Sequence, residues 1–202
     1  LVFFFSMMDF YLLTNWLPTA MHRIGAPLGA AIGIGMVFHL GALSGVYFGV
    51  MVERKGATLT LFTAYTIGAI CIAAVGLLRS NFLAVSVAAF GAGFGIMGGQ
   101  MVTYAVAASL YPREVRSSGV GWGMGIGRAG AILGPALVGF FLAGDGSLTS
   151  MFLLASVPAL CAAACGYALG RALPDPTASD EDRHPLVSRR EDGSRGNGLP
   201  AA

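Results

Sequence analysis

Residues 111–135, YPREVRSSGVGWGMGIGRAGAILGP, decide the fold of this chain. The stretch opens with a short charged turn and continues as an apolar helical pattern that carries one arginine, Arg128, near its middle. Glycines recur at positions 119, 123, 127, 130 and 134, which places a stripe of small residues along one helix face. A guanidinium at bilayer depth costs about 2.5–3.5 kcal/mol on insertion scales. We therefore expect Arg128 to face the interior of a helix bundle rather than lipid.

The composition of the whole chain is that of a membrane protein. Of its 202 residues, 55% are hydrophobic and 11% are charged, whereas a soluble domain carries about 25% charged residues. Its thirty glycines fit membrane helices, which use small residues to pack closely. The formal net charge of +2 implies little about partners, and no basic cluster suggests nucleic acid. The apolar composition makes the lipid bilayer the expected partner.

Six apolar runs follow one another, each near the ~20 residues that cross a bilayer. They are residues 1–21, 28–50, 58–78, 82–108, 119–143 and 149–170. Residues 171–202 are rich in Asp, Arg, Ser, Pro and Gly, a composition typical of disorder. The sequence predicts an all-α membrane protein, with a six-helix transmembrane half-bundle over residues 1–170 and a disordered cytoplasmic tail over residues 171–202.

Basic residues in the connections predict the orientation, because cytoplasmic connections carry an excess of Lys and Arg. Five basic residues follow the second, fourth and sixth runs: Arg54, Lys55, Arg113, Arg116 and Arg171. The other connections carry two, Arg23 and Arg79. We therefore expect a multi-pass protein of the cell (inner or plasma) membrane with both ends in the cytoplasm. Since Leu1 lies inside an apolar run without signal-peptide features, we expect a fragment or the second half of a longer protein.

Several motifs resemble those of one transporter family. Residues 111–135 match YPxEVRxxGxGWxxGxGRxGAxxGP, which resembles the junction of the tenth and eleventh helices in the aromatic acid:proton symporters, a branch of the major facilitator superfamily. Residues 9–19, DFYLLTNWLPT, resemble the seventh helix, and GGQxxxYAxAAxxYP at residues 98–112 resembles the tenth. The turn GVMVERKG at residues 49–56 resembles the superfamily's G-x-x-x-D/E-R-x-G, although Ala57 and Thr58 replace the usual basic residues after it.

The resemblance implies the C-terminal half of a proton-coupled carrier for a small aromatic carboxylate. It implies no cofactor beyond the proton gradient, and a site at the midplane between two six-helix halves. The missing N-terminal half is then a required partner. Two alternatives are open: a superfamily carrier for a sugar-like, dicarboxylate or drug substrate, and a channel or structural membrane protein.

Polar residues inside membrane spans mark substrate and ion paths, and seven of them are candidates for substrate binding. They are Arg128, Asp9, Asn15, Trp16, His39, Gln100 and Tyr104. Arg128 can hold a substrate carboxylate with two parallel hydrogen bonds, or it can pair with Asp9, whose depth suggests a proton or ion-pair role. Gln100 and Tyr104 suit hydrogen bonding to and stacking on an aromatic ligand.

Two of these candidates have structural alternatives. Trp16 is either an anchor at the membrane interface or a ring that stacks on the ligand. His39 is either a neutral, hydrogen-bonded histidine inside the bundle or a titrating group in the transport path.

The turns on the cytoplasmic side supply a second group of candidates, for gating. They are Gly49, Glu53, Arg54, Gly56, Pro112, Glu114 and Arg116. The glycines allow a tight turn and close helix packing, and Glu53 and Arg54 can pair across helix ends.

Enzyme and cofactor motifs are absent from the sequence. Residues 93–98 and 125–130 match G-x-G-x-x-G but lack the strand before it and the acid about 20 residues on. Ser44 lies in GALSG, not G-x-S-x-G, and His39, five residues earlier, points roughly 140° away on a helix. The three cysteines have no C-x-x-C spacing and predict neither a disulfide framework nor a metal site. We predict that the chain is not an enzyme.

Overall fold

The computed structural model describes residues 1–78, 81–144 and 147–172. Within these residues the chain forms helices and no strand, which confirms the all-α prediction. The helices are α1 Val2–Arg23, α2 Leu28–Ser44, α3 Tyr47–Lys55, α4 Ala57–Leu77, α5 Phe82–Leu110, α6 Arg116–Ala143 and α7 Leu148–Ala172. The predicted loop residue Arg79 and the predicted tail, from residue 173 onward, lie outside the described residues.

Five segments of the described chain are long and apolar enough to cross a membrane. They are Leu28–Lys55, Ala57–Leu77, Phe82–Leu110, Arg116–Ala143 and Leu148–Arg171. Helix α1 is not among them, although it has 22 residues. Asp9 and Asn15 lower its mean hydropathy, so the sixth predicted span stays a prediction.

The second predicted run differs from one continuous helix, because it breaks between α2 and α3. Around the break, the amides of Gly45 and Val46 bond carbonyls three residues back, at 3.2 and 3.4 Å, which is the tighter 3₁₀ pattern. Gly45 also packs on the backbone of α5: a Cβ there would lie 2.8 Å from the Cα of Gly98. The break between α2 and α3 therefore lies where Gly45 and Gly98 bring α2 and α5 into close contact.

The predicted glycine stripe of α6 is the surface that packs on α1. Four of its glycines have no room for a side chain against α1: Gly123, Gly127, Gly130 and Gly134. At Gly134 a Cβ would lie 2.6 Å from the carbonyl oxygen of Met8. Small residues let two helix backbones come into contact in a membrane, so this seam holds α6 at a fixed distance from α1.

Helix α5 lies between α2 and α4, and glycines mediate both contacts. A Cβ at Gly93 would strike the Phe38 carbonyl of α2, and one at Gly95 would lie 2.5 Å from the Ala64 carbonyl of α4. Helix α1 contacts α5 as well as α2 and α6. The interior of the bundle therefore forms around α5, and Tyr65 of α4 is the largest fully buried side chain among the described residues.

Candidate functional site

Arg128 lies on the exposed face of α6. It follows Gly127 by one residue, which turns it roughly 100° around the helix from the seam with α1. No hydrogen bond or ion pair among the described residues involves it. The expectation that Arg128 faces the interior of this bundle is wrong for the described helices, because α1 covers the glycines beside it and nothing covers the arginine.

In contrast to Arg128, the ionisable residue Asp9 lies in the interior of the bundle. Its side chain is 0% exposed, and neither carboxyl oxygen has a hydrogen-bond partner among the described residues. Asp9 and Arg128 therefore do not form the ion pair that the sequence left open. The fully buried Tyr65 of α4 interacts with Asp9, Ser6 and Tyr104.

Asn15 and Trp16 are brought together at a groove between α1 and α6. Asn15 is exposed, and its side-chain amide donates to the Tyr11 carbonyl, 2.7 Å away. The half-buried Trp16 donates from Nε1 to the carbonyl of Pro135 at 3.0 Å. The open groove beside them has a volume of about 580 Å³. Its remaining lining residues are Thr19, Arg23, Pro135 and Ala136.

His39 lies on the exposed side of α2, so the first of its two alternatives, a histidine inside the bundle, is wrong for the described helices. Its ring Nδ1 lies 2.8 Å from the carbonyl oxygen of Gly35, one turn earlier. The ring also contacts Phe38 and Phe10, with centroids 5.3 and 6.3 Å away. It lines a second open groove of about 540 Å³ beside α1, with Thr14 and Pro18 among its lining residues.

Gln100 and Tyr104 lie one turn apart on α5. Gln100 is buried, and Tyr104 is half-buried with its ring centroid 4.9 Å from that of Phe3 on α1. The Tyr104 ring therefore already packs against another aromatic ring of the same chain. Between them, the Thr103 hydroxyl forms a hydrogen bond of 2.9 Å with the hydroxyl of Tyr65. Tyr65 was not predicted from the sequence, where it is marked only as a tyrosine within an apolar run.

The two turn motifs are exposed. Gly56 ends α3 with φ +79°, a conformation that glycine adopts without steric cost. Glu53 and Arg54 are exposed and form no ion pair with each other or with another described residue. The remaining predicted turn residues are exposed as well: Gly49, Pro112, Glu114 and Arg116. Arg116 donates from Nε to the carbonyl of Tyr111 at 3.4 Å.

The arrangement offers binding groups rather than catalytic ones. A guanidinium is exposed on α6, a polar groove opens between α1 and α6, and a carboxyl is buried among hydroxyls. Among the described residues, no cluster of three or more His, Cys, Asp or Glu side chains could hold a metal ion. The three cysteines are half-buried thiols without a disulfide.

Comparison with known proteins gives consistent matches. Residues 1–194 match the family model of the Major Facilitator Superfamily. The chain is 37% identical over 185 residues to the gallate transporter of Pseudomonas putida, covering 88% of this chain and 41% of that protein. It is 32% identical over 162 residues to the 4-hydroxybenzoate transporter PcaK of Acinetobacter baylyi (80% and 35% covered). It is 33% identical over 165 residues to the 3-(3-hydroxy-phenyl)propionate transporter of Escherichia coli (81% and 40% covered). The chain thus spans less than half the length of these relatives.

Proposed function

The chain belongs to the major facilitator superfamily, and we propose that it forms the C-terminal half of a carrier that takes up a small aromatic carboxylate together with protons. The family and these relatives are transporters, not enzymes. The apolar helices make the chain a multi-pass membrane protein. Within the proposal it resides in the cell membrane with both ends in the cytoplasm, and an N-terminal six-helix half completes it.

The observation that carries the proposal is the exposed guanidinium of Arg128. It lies near the middle of the 28-residue α6, and no described residue neutralises it. A charge at this depth is costly unless a partner or water meets it, so the partner comes from outside the described helices. Relatives that carry gallate and 4-hydroxybenzoate suggest an aromatic carboxylate, which a guanidinium binds with two parallel hydrogen bonds.

The seam between α1 and α6 supplies the rigidity that such a site needs. Backbone contact at Gly130 and Gly134 and the bond from Trp16 to Pro135 hold the two helices together. The position of Arg128 relative to the groove beside Asn15 then stays fixed. In this superfamily the halves rock around a midplane site, so a stiff half-bundle suits alternating access.

A chimera tests the proposal. In it, this chain replaces the matched part of the Pseudomonas putida gallate transporter, and uptake of labelled gallate and 4-hydroxybenzoate is measured in vesicles. We expect saturable uptake that a proton gradient drives and a protonophore abolishes. Vesicles that carry only residues 1–202 serve as the control and should show none, because six helices form one wall of a cavity.

Three outcomes would contradict this proposal. Saturable uptake by residues 1–202 alone would remove the half-carrier assignment. A chimera that transports a sugar, dicarboxylate or drug but no aromatic acid would favour another substrate class. Flux that ignores the proton gradient and does not saturate would favour a channel.

A further inference from the structure

Asp9 lies in a buried cluster of hydroxyl groups formed by α1, α4 and α5. Asp9, Ser6 and Tyr65 are all 0% exposed, and Thr103 is 3% exposed. Ser6 lies three residues before Asp9 on α1, and both interact with the Tyr65 hydroxyl. Tyr65 in turn bonds Thr103 at 2.9 Å. We call these three hydroxyl residues, Ser6, Tyr65 and Thr103, the hydroxyl cluster.

The hydroxyl groups of the cluster bond one another or their own helices, and none of them bonds Asp9. Ser6 donates to a carbonyl of its own helix at 3.3 Å, and Thr103 donates to one of its own at 2.8 Å. Because a threonine hydroxyl has one hydrogen, the Thr103 oxygen accepts from Tyr65.

The two protonation states of Asp9 differ in how they fit this environment. An ionised carboxylate only accepts hydrogen bonds, whereas a protonated one has an O–H to donate. Neither Asp9 oxygen has a hydrogen-bond partner, donor or acceptor, among the described residues. A buried carboxylate without a donor or a counter-charge is strongly disfavoured. Burial without a compensating group therefore favours the neutral acid form.

No cation compensates Asp9 from the elements packed around it. The titratable groups of its cluster are Tyr65 on α4 and Tyr104 on α5. Helix α6 presents glycines to α1, with Arg128 exposed, and His39 of α2 is exposed on its groove. None of these groups therefore places a positive charge beside the Asp9 carboxyl.

We propose that Asp9 is the proton-binding site of the carrier, holding its proton occluded in the interior of the bundle in this conformation. This inference rests on the proposed proton-coupled uptake. The Asp9 O–H bond forms with a proton from water on one side of the membrane. It breaks when the site opens to the other side, where the proton passes to water and the electron pair stays on the carboxylate.

Infrared spectroscopy of residues 1–202 in lipid tests the occluded proton without requiring transport. We expect the C=O stretch of a protonated carboxyl at neutral pH, and Asp9→Asn should remove it. Tyr65→Phe should shift the band, because it removes a polar hydroxyl from the surroundings of the carboxyl. Glu114→Gln, at an exposed carboxylate, is the control and should leave the band unchanged. No protonated-carboxyl band in the unmodified chain would overturn the proposal.

Transport by the chimera tests the coupling role. Asp9→Asn mimics the protonated acid in size and charge, so substrate exchange between equilibrated sides should continue. Accumulation driven by a proton gradient should fall to the equilibrium level. Asp9→Asn that accumulates substrate as the unmodified chimera does would overturn the proposal. A chimera that carries no aromatic acid at all would count against the proposed function, while the infrared result still decides the state of Asp9.

Discussion

The indole Nε1 of Trp16 donates a hydrogen bond to the carbonyl oxygen of Pro135, 3.0 Å away, and so joins α1 to α6. The ring also lies against Gly139, where a Cβ would be 3.7 Å from it. On α1, Trp16 lies eight residues, about two helical turns, beyond Met8, on which the last glycine of the seam, Gly134, packs. Trp16 therefore extends the α1–α6 contact past the point where the two backbones touch.

Replacing Trp16 with Phe should destabilise the bundle modestly. Trp16→Phe keeps an aromatic ring but removes the donor, and a net hydrogen bond contributes about 0.5–1.5 kcal/mol. Thermal unfolding in detergent should show a lower midpoint. Trp122→Phe is the matched control, because Trp122 is 76% exposed, and its effect should stay within about 0.5 kcal/mol. Equal effects of the two substitutions would contradict a specific role for the Trp16 bond.

Adding a methyl group at Gly130 should separate α1 from α6. A Cβ there would strike the carbonyl oxygen of Phe4, and overpacking of this kind costs about 1–3 kcal/mol. Gly125→Ala provides the control on the same helix, since nothing lies within 4 Å of its Cβ position. That change should be neutral or stabilising by up to about 1 kcal/mol. Unfolding midpoints that fall equally for both variants would show that the seam does not limit stability.

Arg128→Lys should weaken the apparent affinity of the chimera for aromatic carboxylates by about tenfold or more. A lysine keeps the charge but cannot form two parallel bonds, and hydrogen bonds to charged groups contribute about 1.5–3 kcal/mol. Membrane expression should be unaffected, because Arg128 has no partner among the described residues. Arg113→Lys, in an exposed turn, should leave the affinity unchanged. Normal affinity of Arg128→Lys would assign Arg128 a structural role.

Cysteine labelling should confirm the orientation. In a background with Cys71, Cys161 and Cys165 replaced by alanine, an impermeant reagent should reach Ala143→Cys in intact cells. It should reach Glu114→Cys only after the membrane is opened, since the basic residues near that turn predict a cytoplasmic location. Both positions are exposed in the bundle, so access depends on the side of the membrane. The reverse pattern would invert the topology.

The sequence by itself determined the helical membrane fold and the surface that α6 uses for packing. Apolar runs of spanning length reflect local chain properties, and each of the six overlaps a helix of the described chain, although the second is divided between α2 and α3. The stripe from Gly123 to Gly134 also follows from helical periodicity alone, because small residues at that spacing share a face wherever the helix lies. The motifs at residues 9–19, 98–112 and 111–135 gave the family.

Only the tertiary structure decided which polar groups are buried. Arg128 and Asp9 are both ionisable residues within apolar runs, yet one is exposed and the other is 0% exposed. Burial depends on how each helix is rotated against its neighbours, which periodicity does not specify. The contact of Tyr65 with Thr103 joins α4 to α5 across 38 residues. A hydrogen bond between helices exists only after packing fixes their relative depth and rotation, so no local pattern in the sequence could have revealed it.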